Sequence, residues 1–89
     1  MVTCTDTPCG IETVTGSIVD QQACLDTDQR GLGSRDACNT WCVETSDGTR
    51  PAACEFAQSD EVCIVGFGGD DCGLEDAPDI YDGWVLCDV

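Results

Sequence analysis

Lysine and histidine are both absent from this chain, and its only cationic side chains are Arg30, Arg35 and Arg50. Without them the usual base at neutral pH and the usual amine nucleophile are missing, which argues against most hydrolytic and group-transfer chemistry. Carboxylate pairs, Tyr81 or a spare thiol would have to do any catalysis, and a domain this small seldom builds the deep cleft that carboxylate dyads need. The sequence is therefore read as non-enzymatic. Aromatic residues are also few, with two Trp, two Phe and one Tyr. No apolar run approaches the 18 or so residues of a membrane-crossing helix, so membrane insertion is not expected. Nor does Met1-Val2-Thr3 begin an apolar leader, and the chain is taken as a mature domain.

Eighteen acids against three arginines give a net charge of −15. Such a surface repels phosphate backbones and anionic lipid, which excludes nucleic acid as a partner and leaves cationic partners open. The plainer reading is that the acids keep a cystine-rich extracellular protein soluble.

Nine cysteines in 89 residues point to a single domain, spanning residues 1–89, that is held by disulfides. A chain this short buries only about 60–65% of its unfolded surface, and disulfides at roughly 2–4 kcal/mol each would supply stability that the core lacks. Disulfides imply an oxidising compartment, so the protein is expected to be secreted. Zinc is disfavoured because the chain has no Cys-x2-Cys pair and no histidine, and tight pairs are what usually bring two thiolates to one ion. An odd count leaves one thiol over, available for a homodimer through that cysteine. With the odd residue unassigned, about 945 pairings are open.

The stretch from Ser34 to Val65 organises the rest. Ser34 is a suitable N-cap, Asp36 suits the positive end of the helix dipole, and Ser46-Asp47-Gly48 ends the helix. Cys38 and Cys42 are four apart and share a face with Ala37 and Trp41, the face expected to be buried. After a Gly48/Pro51 break, Ala53 to Ala57 and Val62 to Val65 form a hairpin about a polar turn at Gln58 to Glu61. Strand alternation puts Cys54 and Phe56 on one side and Cys63 and Val65 on one side, so four cysteines face one small core. The fold class is α+β: a small disulfide-rich domain with one central helix packed on a short antiparallel β-sheet.

Elsewhere, Ile11 to Val19 predicts one strand bulged at Gly16, or two short strands. Asp20 to Leu25 predicts a helical turn around Cys24, and Asp26 to Gly33 a loop. Gly66 to Gly73 is too glycine-rich for regular structure, and Gly83 to Cys87 reads as a closing strand. Between them Asp70 to Asp82 holds six acids. Asp76, Asp79 and Asp82 are a candidate calcium set, weighed against a solvated acidic loop, since the ordered spacing of an EF-hand is missing. No other cofactor is expected.

Cys38-x3-Cys42 on a helix, then Cys54-x-Phe56 and Cys63-x-Val65 on strands, with Gly83-Trp-Val-Leu-Cys87 closing, resembles the PAN/apple family of extracellular modules. The resemblance covers about half of the chain. It implies pairing of Cys42 with Cys54, of Cys38 with Cys63, and of Cys9 or Cys4 with Cys87. It also implies non-catalytic binding of an extracellular protein or a glycan. The gap between Cys42 and Cys54 is long for the family, and Cys24 and Cys72 lie outside its pattern. In style alone, the chain also resembles the acidic, cystine-rich, mainly helical mating pheromones of Euplotes ciliates. The expected function is a secreted recognition module binding protein or carbohydrate. Its rivals are a diffusible signal, effector or toxin-like ligand, and a serine protease inhibitor presenting Arg30, Arg35 or Arg50 as bait.

Overall fold

A computed structural model describes residues 14–46, 52–69 and 71–86. One helix packs against an antiparallel sheet, as the fold class requires. The elements are β1 (Val14–Thr15), β2 (Ser17–Val19), β3 (Asp26–Gly31), α1 (Arg35–Thr45), β4 (Ala52–Ala57), β5 (Val62–Phe67), β6 (Leu74–Asp76) and β7 (Tyr81–Leu86). Five strands form a sheet in the order β1-β7-β4-β5-β3, and β2 pairs with β6 in a separate ribbon.

Local chemistry sets the helix limits. Ser34 is extended and its hydroxyl accepts the Ala37 N–H at 3.2 Å, satisfying one of the free first-turn donors. At the other end Ser46 is the C-cap, with its hydroxyl donating to the Cys42 carbonyl at 2.7 Å. Cys38 and Cys42 are fully buried and Trp41 packs partly buried beside them, whereas Ala37 is exposed.

Alternation sends the two faces of the sheet to different layers. On the helix side, Ala52, Cys54, Phe56, Cys63, Val65, Trp84 and Leu86 form one core with Cys38 and Cys42. Trp84 Nε1 donates to Asn39 Oδ1 at 2.8 Å, tying β7 to α1 through the polar atom of a buried ring. On the reverse side, Ala53 packs with Val19, Cys24 and Cys72 beneath the β2–β6 ribbon. Two glycines make room for that ribbon. A Cβ on Gly66 would lie 2.6 Å from Val19 Cγ1, and one on Gly83 would lie 2.7 Å from Ser17 Oγ. The ribbon is fastened by the Cys24–Cys72 disulfide and by Glu55, whose buried carboxylate accepts the Val19 N–H at 3.0 Å.

Three segments depart from the sequence expectations. Asp26 to Gly31 is a strand rather than a loop, paired along its length with β5. Its six side chains are all exposed, so it carries no apolar alternation to read. Leu74–Asp76 is a short strand inside the acidic segment, held by its pairing with β2. The second hairpin strand is also longer than expected, since β5 runs from Val62 through Gly66 to Phe67, into the stretch expected to be irregular. Of the two readings of Ile11 to Val19, the described part has the two short strands, separated at Gly16, whose φ of 81° turns β1 toward the sheet and β2 into the ribbon.

Candidate functional site

The N-terminal end of α1 meets the turn end of β4 and the start of β7 around a cleft of about 430 Å³, lined by Ser34, Arg35, Asp36, Phe56, Gln58 and Asp82. Helix capping fixes where the first three side chains stand. Asp82 reaches the cleft because it is directly opposite Phe56 in the β4–β7 register and so shares the helix-facing side with Trp84 and Leu86. An acid on that apolar face needs partners. Gln58 Nε2 donates to Asp82 Oδ2 at 2.7 Å, and Arg35 Nη1 lies 3.6 Å from the same oxygen. Among the described residues, both side-chain contacts fall on Oδ2.

The lining groups are suited to holding a polar ligand. A guanidinium, an amide and two carboxylates surround the rim of a phenyl ring, so donors and acceptors are both present within one small concavity. The Ser34 hydroxyl is engaged as the helix cap.

Of the residues singled out from sequence, Cys38 and Cys63 form a disulfide. Cys42 and Cys54 do not form the bond that the family resemblance implies. Both are buried thiols, and the Cys54 pKa is pushed up by burial first and by neighbouring Cys42 second. Cys24 and Cys72, which that resemblance leaves unplaced, form the second disulfide. Cys4, Cys9 and Cys87 lie outside the described residues, as does Arg50. Asp76, Asp79 and Asp82 are not brought together. Among the described residues, the group of three or more ligand-bearing side chains that does converge is Cys38, Cys42 and Cys63. Asp82 is drawn to the helix side, while Asp76 and Asp79 are exposed, Asp76 on the ribbon and Asp79 in the turn before β7. The two described arginines occupy regular elements: Arg30 lies within β3 and Arg35 opens α1.

Sequence reading named Ser34 and Asp36 for their helix chemistry and Arg35 as a bait residue, but not as parts of one site. Gln58 and Asp82 are 24 residues apart and meet only through the β4–β7 pairing. One signal was available: Asp82 interrupts the alternation that makes Trp84 and Leu86 inward-facing.

Among the described residues no helix is long and apolar enough to cross a membrane. Two disulfides are compatible with a secreted protein. Compared with protein-family models and with curated proteins, the chain matches none of either.

Proposed function

We propose that this chain is a secreted, non-enzymatic recognition module that binds an extracellular protein or a glycan through the cleft at the N-terminal end of α1. The observation that carries the reading is Asp82, a carboxylate only 3% exposed and held by Gln58 and Arg35 at the edge of that cleft. A buried acid costs stability unless its surroundings compensate it, and here the compensation also arrays polar groups toward an incoming ligand. Behind the cleft, the Cys38–Cys63 bond joins α1 to β5, which braces the helix and strands that carry Arg35, Asp36, Phe56 and Asp82, with Gln58 in the turn directly after β4. The resemblance to PAN/apple modules, which bind without catalysis, agrees with this reading.

The test is a binding screen of the purified chain against a glycan array and a panel of immobilised matrix and cell-surface proteins. Wild type, Arg35→Ala and Gln58→Ala are compared with Leu25→Ser, an exposed position outside the cleft. Loss of affinity of tenfold or more, about 1.4 kcal/mol, in both cleft variants but not in Leu25→Ser is the expected result. Binding that survives both cleft substitutions would assign recognition to another surface.

A further inference from the structure

The helix-side core holds a chemical feature that recognition at the cleft does not use. Cys38 and Cys42 project from one face of α1, and Cys54 and Cys63 meet them from β4 and β5. All four are 0% exposed. The sulfurs of Cys38, Cys42 and Cys63 lie within 4.8 Å of one another, with Cys42 Sγ 3.7 Å from Cys63 Sγ. Cys54 stands in the same core next to Cys42 but outside that close triad, so as a fourth ligand it has to move in once the Cys38–Cys63 bond opens.

These spacings can be set against metal geometry. In a tetrahedral zinc–thiolate site with Zn–S of about 2.3 Å, neighbouring sulfurs stand roughly 3.8 Å apart. The Cys42–Cys63 separation is close to that edge. The tight Cys-x2-Cys pairs that usually gather such ligands are missing, and the fold replaces them with a helical i, i+4 pair set over a hairpin. Among the described residues, the sulfurs' polar contacts outside the cluster are two backbone carbonyls. Glu55 O lies 3.4 Å from Cys38 Sγ, and Cys38 O lies 3.6 Å from Cys63 Sγ. No carboxylate or imidazole enters that list, so the coordinating atoms would be sulfur alone, a set that favours zinc, cadmium or cobalt over calcium or magnesium.

We propose that the reduced four-cysteine core is a site for one divalent ion of the zinc class, with Cys38, Cys42, Cys54 and Cys63 as ligands, and that metal and disulfide are alternative states of the same residues. Reduction of the Cys38–Cys63 bond by a dithiol transfers two electrons and two protons to the cysteines and leaves the reductant as its own disulfide. Binding then exchanges four thiol protons for the ion, forming four metal–sulfur bonds. Because the ligands bind as thiolates, uptake releases protons and weakens as pH falls.

The experiment uses the full chain, reduced with a phosphine under nitrogen and titrated with Co²⁺. Expected is one Co²⁺ per chain, with the strong visible absorption of tetrahedral sulfur coordination, displaced one for one by Zn²⁺. Cys42→Ser and Cys54→Ser should each weaken binding by roughly tenfold or more, while Cys24→Ser/Cys72→Ser and Cys4→Ser/Cys9→Ser/Cys87→Ser keep the full band. X-ray absorption on the zinc form of the wild type counts sulfurs without relying on any variant to fold, and four sulfurs at about 2.3 Å is the expected shell. Weak octahedral absorption, a shell containing oxygen or nitrogen, equal uptake by the oxidised protein, or a band lost only with the other cysteines would each overturn the site.

Discussion

Glu55 stands at the middle of β4, buried beneath the ribbon, where sheets ordinarily carry an aliphatic side chain. Burial raises its pKa above the usual glutamate range, the Val19 N–H partly opposes this, and nearby Glu75 adds to the rise. The folded state therefore holds the Glu55 proton more tightly than the unfolded chain does. The stability this contributes is present below the unfolded value of about 4.3 and is lost as pH rises through the raised folded value. Glu55→Gln keeps an acceptor for Val19 and removes the charge. It should remove the loss of stability that sets in above about pH 4 and raise stability at neutral pH by on the order of 1 kcal/mol, as read by urea unfolding. Gly66→Ala should act in the opposite sense. Its Cβ would meet Val19 Cγ1 at 2.6 Å and Cys24 Sγ at 2.7 Å, and a cost of about 1–3 kcal/mol is expected in the same assay. At this scale the helix-facing cysteines were legible from spacing alone. The cleft was not, because Arg35, Gln58 and Asp82 are joined by strand register rather than by any local pattern.

Among the elements, α1 and the β4–β5 hairpin were legible because capping, i, i+4 spacing and alternation all reported one buried face. β3 was not. A strand buries on at least one face when its sequence alternates, and Asp26 to Gly31 buries on neither. Its order rests on main-chain pairing to β5, without the side-chain packing that stabilises β4. Amide exchange should therefore be faster along β3 than along β4 by at least about a hundredfold, measured by deuterium uptake at neutral pH. The ribbon makes a separate prediction. Cys24 and Cys72 are 48 residues apart, and replacing both with Ser should cost about 2–4 kcal/mol. Protection of Ile18 and Glu75 should fall before that of Cys54 or Trp84, since what then ties the ribbon to the sheet among the described residues is the Glu55–Val19 bond, main-chain bonds at its flanks such as Gly16 to Tyr81 and Leu25 to Gly68, and a small apolar patch.

For the molecule as a whole, charge and cross-links work against each other. A net charge of −15 on 89 residues disfavours the compact state by self-repulsion, and disulfides limit how far the chain gains by expanding. The thermal midpoint should therefore rise by several degrees as sodium chloride increases from about 10 mM to 500 mM, where screening shortens the Debye length from about 30 Å to a few ångströms. The cleft stands or falls with the placement of α1 on the sheet, and the Cys38–Cys63 bond is the covalent record of that placement. The most direct measurement is a disulfide map of the folded protein, alkylated without reduction and digested with an acid protease, since three arginines give too few tryptic sites. Linked peptides containing Cys38 with Cys63 and Cys24 with Cys72 are predicted. Finding Cys38 joined instead to Cys24 or Cys72 would contradict the helix-on-sheet core, and the cleft built on it would go with it.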